Sequence, residues 1–321
     1  MARIVRPTAY GTPDVLGIFE LRIPRPAAGE VVVGVRAAGV NPIDWKLYSG
    51  AFHTVDDEHK ESAGVAAEAL PALGLECAGV VTAVGVGVTG VELGDEVIAH
   101  PVTAAYADYV VAPVTALVRK PATLSWEAAG TLMLSGTTAA HTVHAVGLGR
   151  GDTVLVHGGS GGTGLMAVQL ATARGATVLA TGAERNHHLL RELGAVPLAY
   201  GPGLLDRVRA AAPDGVTAAV DCAGTDEALD VSVALVADRT RIASIVGTDR
   251  RAAVGVKTLG YGPGQDAGTE VRLAARADLA ARAGAGELRV LVHGSYPLYE
   301  AARAHKVGIA GHAPGKLVLV P

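Results

Sequence analysis

A chain of 321 residues, half of them hydrophobic and 42 of them glycine, is long enough for two domains of ordinary size with buried cores. A formal net charge of −4 without any basic tract excludes a surface built for nucleic acid or for an anionic membrane. Only two cysteines occur, Cys77 and Cys222, far apart and without partner spacing, which excludes a disulfide framework and a four-cysteine zinc lobe.

Met1 to Tyr10 has an arginine but no apolar core and no cleavage site, so no signal peptide is read there. The most apolar stretch, Val80 to Val91, is too short to span a bilayer. The expectation is a soluble cytoplasmic protein. In the first third, Glu30 to Ala37, Ala78 to Val84 and Glu96 to Ala99 read as buried strands, with a reversal at Leu93 to Glu96. Phe52 to Leu73 breaks this pattern, and Asp56 to Glu61 within it reads as a solvated loop or a short exposed helix. The middle third alternates strands and helices at the spacing of βαβ units. Strands are expected at Asp152 to His157, Thr177 to Thr181, Val196 to Tyr200, Thr217 to Cys222 and Arg241 to Val246. Helices are expected at Gly164 to Arg174, Asn186 to Leu193, Leu204 to Ala212 and Asp226 to Val236, the first two stopped by Gly175 and Gly194. Five such strands predict an open, mostly parallel, doubly wound sheet. Beyond about Gly262 come a helix at Glu270 to Ala283, a strand at Leu288 to His293, a helix at Leu298 to His305 and a last strand at Lys316 to Val320.

The segment His157 to Gly164 follows a strand and opens a helix, and Gly159, Gly161 and Gly164 satisfy G-x-G-x-x-G. One glycine makes the turn, one lets the backbone approach a pyrophosphate, and one lets helix and strand pack closely. The N–H groups and dipole at the helix start then favour phosphate. The bland alternative is a structural glycine turn. At the end of the second strand stands Gly182, which leaves room for a 2′-phosphate that Arg185 could bind, so NADPH is the expected cofactor. Glu184 could instead hold a ribose hydroxyl, or be a solvated loop acid.

Several segments taken together resemble the medium-chain dehydrogenases/reductases, in their zinc-free quinone oxidoreductase and enone reductase branch. The resemblance covers nearly the whole chain. It rests on Ala38 to Lys46 (AGVNPIDWK), Gly74 to Gly79 (GLECAG) with Gly85 and Val88, Gly94 to Val97, Tyr106 to Val110, Ser135 to Ala139 (SGTTA), the glycine loop, and Gly315 to Leu319. It implies a GroES-like β-barrel-type substrate domain over residues 1–116 and 258–321 around a Rossmann NADPH-binding domain over 117–257. Substrate is then expected in the cleft beside the carboxyl ends of the parallel strands, and a homodimer through an edge strand near Ala252 to Leu259. Zinc-dependent relatives place a cysteine ligand in the segment matching Asn41 to Asp44 and a histidine where this chain has Leu75, so zinc catalysis is not expected. His141 and His144, at i and i+3, could share a metal but read first as helix-surface or interface histidines.

The resemblance also implies cofactor contacts at Thr138 on the nicotinamide side, at Ser160, Gly161, Gly162 and Thr163 on the pyrophosphate, and at Gly182 and Arg185 on the 2′-phosphate. Tyr200, Cys222 and Gly224 would line the adenosine end, Val246 and Gly247 would meet the carboxamide through backbone groups, and Lys316 would reach the cofactor from the last strand. Tyr200, Cys222 and Val246 could equally just fill strand ends. The implied reaction is hydride transfer to an electron-poor quinone or, alternatively, an enone or enal, with water able to protonate the product. Asn41, Lys46 and Tyr48 are the candidate catalytic residues, Asn41 orienting the acceptor and Lys46 or Tyr48 donating a proton. A reading of another class is an NADPH-binding sensor or interaction protein without turnover.

Overall fold

The computed structural model describes residues 1–51, 70–247 and 249–321. The expected loop or helix at 56–61, and most of the irregular 52–73 segment, lie outside the described residues. The first elements in chain order are β1 (Ala2–Pro7), β2 (Leu16–Leu21), β3 (Glu30–Val40), α1 (Pro42–Tyr48), β4 (Cys77–Val84), β5 (Glu96–Ala99), β6 (Tyr109–Pro113) and β7 (Leu117–Arg119). Then follow α2 (Trp126–Ala145), β8 (Thr153–His157), α3 (Gly162–Ala173), β9 (Thr177–Thr181), α4 (His187–Glu192), β10 (Ala195–Leu198), α5 (Leu204–Ala211), β11 (Ala218–Asp221), α6 (Asp226–Leu235) and β12 (Ile242–Ser244). The last are α7 (Asp249–Ala253), β13 (Lys257–Thr258), α8 (Thr269–Gly284), β14 (Val292–Pro297), α9 (Ala301–Ile309) and β15 (Lys316–Val320).

These elements form two units, Met1–Leu134 with Ala280–Pro321, and Ser135–Leu279. The division runs through α2 and α8 rather than through a linker.

The first unit is organised by β3, whose β-branched run is buried along most of its length and reads as continuous rather than alternating apolar sequence. It earns that burial by pairing antiparallel with β4, β6 and β15, in a seven-stranded sheet ordered β14-β15-β3-β4-β5-β7 with β6 also on β3. Register shifts between Val32 and Val33 and between Val35 and Ala37 bend the strand so that it can serve several partners. Val31, Val33, Ala38, Cys77, Val97, Tyr106 and Leu319 meet in one core. The hairpin of β1 and β2 stands as a separate two-stranded sheet. The strand expected at Leu288 to His293 lies later, at β14, because its register is set by parallel pairing with β15, from Val292 opposite Lys316 to Pro297 opposite Val320.

The second unit is a six-stranded parallel sheet ordered β10-β9-β8-β11-β12-β13. This is the doubly wound order, with the topological switch between β8 and β11, where a ligand crevice forms outside the carboxyl ends of the strands. Leu155, Leu179, Ala219 and Ile242 carry its core into α5 and α6 through Leu204, Val208 and Leu229. The segment 252–259, expected as one edge strand, is the end of α7, a turn, and the two-residue β13 at the sheet edge.

Candidate functional site

The glycine loop leaves β8 at His157, and Gly158 turns the chain at φ +69°. Gly158 N–H donates to Thr181 Oγ1 at 3.0 Å and Gly159 N–H to Thr181 O at 2.8 Å, which ties the loop to the end of β9. Gly164 packs directly on the Gly158 carbonyl, where a Cβ would collide, so this glycine serves close helix–strand packing. Gly161 is different. A Cβ there would meet nothing nearer than Gly158 O at 3.4 Å, so the protein does not fill the space over that backbone. Gly161 is also the N-cap of α3, and no side chain caps the helix. Gly161, Gly162 and Thr163 are all partly exposed, so the first N–H groups of α3 face open space with the positive end of the helix dipole. These residues fit a dinucleotide pyrophosphate.

Around this loop, Ser160 Oγ accepts from Asn186 Nδ2 at 3.2 Å, and buried Gly182 closes the end of β9. Glu184 and Arg185 are both exposed in the short helical turn that follows, and Tyr200 is exposed just beyond β10. Cys222 is half-buried at the end of β11, its thiol pushed up by burial, and Gly224 (φ +75°) packs on Val246. Gly247 lies under the side-chain amide of Gln265, a residue that the sequence did not single out.

The ends of β11 and β12 are held by Asp221, also missed by the sequence reading. Its Oδ1 accepts from the N–H groups of Ala223 at 3.0 Å and Gly224 at 2.8 Å, and its Oδ2 accepts from Ser244 Oγ at 2.9 Å. Arg251 closes the group with a 2.9 Å ion pair to Asp221 Oδ2, each side chain 2% exposed. The signal was hidden, because Arg250 and Arg251 are adjacent and the former is a solvated partner of Asp226 and Asp230.

The first unit holds Asn41, Lys46, Tyr48 and Lys316. Asn41 precedes α1, with Pro42 at its first position and the Asp44 carboxylate accepting Asn41 N–H at 2.8 Å. The Asn41 amide is spent inside the protein. Its Nδ2 donates to Glu76 Oε1 at 3.0 Å and Gly39 O at 3.3 Å, and its Oδ1 accepts from Lys316. Lys316 Nζ also donates to Glu76 Oε1 and to Val40 O, each at 3.2 Å, and Glu76 Oε2 takes the Leu134 N–H at 2.8 Å. Glu76, Asn41 and Lys316 are all buried, and a Cβ on Gly39 would strike the Glu76 carboxylate. Asn41, expected to orient the acceptor, and Lys316, expected to reach the cofactor, are here both partners of a buried carboxylate, which needs them to offset its desolvation.

Tyr48, expected as a candidate proton donor, also has a buried partner. Its hydroxyl donates to His305 Nδ1 at 2.7 Å, His305 Nε2 donates to Tyr106 Oη at 3.2 Å, and Tyr106 donates to Asp44 Oδ2 at 2.8 Å. The tautomer follows from this chain, since Tyr106 gives its single proton to the carboxylate. Tyr48, Tyr106, Asp44 and His305 are each 0% exposed, so the Tyr48 proton is engaged within a buried chain of hydrogen bonds. Burial pushes the Asp44 carboxyl up to about 6 and the His305 imidazole down to about 4. Lys46 is partly buried on α1, and among the described residues it takes part in neither network.

Thr138 and His141 lie one turn apart on α2. Thr138 Oγ1 accepts from Arg272 at 2.7 Å, and His141 Nε2 lies 3.0 Å from Asp266 Oδ2. Among the described residues no group of three His, Cys, Asp or Glu side chains is arranged to hold a metal ion, and no helix is long and apolar enough to cross a membrane.

The family described as "Alcohol dehydrogenase GroES-like domain" matches residues 27–122, and that described as "Zinc-binding dehydrogenase" matches residues 200–319. The quinone oxidoreductase of Mus musculus is 32% identical over 200 residues, covering 61% of this chain and 57% of the mouse protein, so the chain spans little more than half of that relative's length. A solved mycobacterial protein complexed with NADPH is 31% identical, with a TM-score of 0.84 and 100% of both chains covered. The CurK enoyl reductase superposes with a TM-score of 0.84 at 26% identity, over 99% of both chains.

Two measurements follow. Lys316→Met leaves the Glu76 charge buried without its cation, so urea denaturation is expected to show a loss of about 3–5 kcal/mol. Dinucleotide affinity of the remaining folded protein is expected to stay at the parent value, whereas a cofactor contact would raise Kd. The second concerns pH. His305 takes up its proton near 6.5 when unfolded but only near 4 when folded, so the stability it contributes is present above 6.5 and is lost as pH falls towards 4. Asp44 acts oppositely, since its carboxyl is raised from 3.8 to about 6 and its contribution fades as pH rises through that value. The difference between parent and His305→Gln isolates the histidine. Between pH 6.5 and 4 the parent should lose up to about 1.4 kcal/mol per pH unit more than the variant. Equal slopes would show that His305 titrates normally.

Proposed function

The chain belongs to the medium-chain dehydrogenase/reductase family, and we propose that it is an NADPH-dependent oxidoreductase that passes hydride to a quinone without the help of zinc. The observation that carries this reading is the uncapped start of α3, with open space over Gly161 and exposed Arg185 one strand away. The NADPH complex of the mycobacterial relative and the activity named for the mouse relative support it.

When bound, NADPH supplies the hydride. The N–H groups of Gly162 and Thr163, with the α3 dipole, hold the pyrophosphate. Gly182 presents no side chain towards the adenosine ribose, and the Arg185 guanidinium binds the 2′-phosphate as a charge-assisted partner. Thr138 lies at the nicotinamide side. Hydride reaching a quinone carbonyl system leaves an oxyanion, and solvent water supplies the proton that completes the hydroquinone, since the Asn41 and Tyr48 donors are both engaged. The zinc-free reading rests on Leu75, which has no metal-binding atom, and on Glu76, whose carboxylate is spent on Asn41, Lys316 and the Leu134 N–H.

A second reading, reduction of an enone or enal double bond, is favoured by the similarity to the CurK enoyl reductase. The same cofactor residues serve it. A homodimer joined along the β13 edge is compatible with either.

The deciding assay is oxidation of NADPH by metal-stripped protein with an ortho-quinone and a small enal side by side. Quinone turnover surviving metal removal is expected; turnover of the enal alone selects the second reading, and tight NADPH binding with no turnover leaves a sensor. Separately, Arg185→Ala is expected to raise the Kd for NADPH by about tenfold while barely moving that for NADH. Equal weakening of both would take Arg185 away from the 2′-phosphate.

A further inference from the structure

The threonines of α2 do not all spend their hydroxyl protons in the same way. Thr131 donates to Glu127 O and Thr142 to Ala139 O, each at 2.8 Å, the usual fate of a threonine inside a helix. Thr138, 7% exposed on the same helix, receives a bond instead, from Arg272 Nη1 at 2.7 Å. A guanidinium has no acceptor and stays charged, so this bond runs in one direction only. The Thr138 oxygen is the acceptor, its own proton is left to give away, and the positive charge behind it makes that proton a better donor. Among the described residues nothing takes it.

Arg272 is itself fixed. Its Nε donates to Ala267 O at 2.9 Å, its guanidinium carbon lies 5.6 Å from the centre of the Tyr261 ring, and no carboxylate forms an ion pair with it among the described residues. The neighbouring acid, Asp266, is turned to His141 at 3.0 Å instead. Gly268 (φ +57°) lets the backbone lie on the His141 ring, where a Cβ would collide, and so brings the start of α8 against α2.

We propose that Arg272 is a positioning residue that holds the Thr138 oxygen as an acceptor and thereby presents the Thr138 hydroxyl proton to a ligand carbonyl oxygen. This rests on the oxidoreductase reading. Two carbonyls qualify, the carboxamide of the nicotinamide and the quinone itself, and both offer the same acceptor to the same proton.

The test compares Thr138→Val, Thr138→Ser, Arg272→Met and the Thr138→Val/Arg272→Met double variant, using NADPH Kd by fluorescence titration together with quinone KM and kcat. Thr138→Val and Arg272→Met should each weaken one of the two constants by about tenfold, and Thr138→Ser should resemble the parent. The double variant should be no worse than the poorer single one, because Arg272 acts through Thr138. A rise in NADPH Kd with quinone KM unchanged identifies the carboxamide, and the reverse identifies the quinone. Losses that multiply in the double variant, or singles that match the parent in both constants, overturn the proposal. If Arg272→Met fails to fold, Arg272→Lys replaces it; this keeps a cation that can only donate, and a Lys variant as impaired as Thr138→Val overturns the positioning role. Parent protein that binds no NADPH would sink the oxidoreductase reading, and that result is visible before any variant is made.

Discussion

A carboxylate buried with no exposure has to be answered by the chain around it, and Glu76 sets that demand for the first unit. The answer comes from three places that are distant in sequence: the Asn41 amide at the end of β3, the Lys316 ammonium on β15, and the Leu134 N–H within α2. Satisfying one charge thus fixes the end of the central strand, the entry to α1 and the last strand together. Gly39 is part of the same arrangement, since it lets the carboxylate approach the backbone. The Asp44–Tyr106–His305–Tyr48 chain then fastens α1 to α9 by the same rule, that a buried polar atom needs a partner.

The second unit repeats this logic around Asp221. One carboxylate satisfies two backbone N–H groups past β11, a serine on β12 and an arginine on α7. The strand ends on the far side of the topological switch are held by a side chain, while on the near side the start of α3 has no side-chain cap. The sheet therefore has one set of strand ends tied by side chains and one helix start left without a cap.

The parallel sheet was readable because its βαβ rhythm, stopping glycines and glycine loop all agree locally. Helix α2 was not. Its sequence mixes Gly130, Gly136 and several threonines, and most of its residues are buried, so no apolar stripe marks one face. The hairpin of β1 and β2 escaped for the opposite reason, since Ile18, Phe19 and Leu21 are substantially exposed and leave no inward–outward alternation in β2. In the site, backbone features such as Gly161 and Gly182 were legible, because motif spacing encodes them. The side-chain pairings of Asn41, Tyr48 and Lys316 were not, because each depends on a partner distant in sequence, and only the folded chain shows whether a polar group is available or already engaged.

The interval of 240 positions between Glu76 and Lys316 has a consequence for the order of events on the ribosome. All of Ser135–Leu279 is synthesised between the two, so the nucleotide-fold unit can complete its sheet while the first unit still lacks both its last strand and the cation for its buried acid. Until β15 is made Glu76 lacks its ammonium partner, and β15 then brings Lys316 as it pairs with β3 and β14. Burial of the Glu76 charge with its full set of partners thus follows, rather than precedes, synthesis of the second unit.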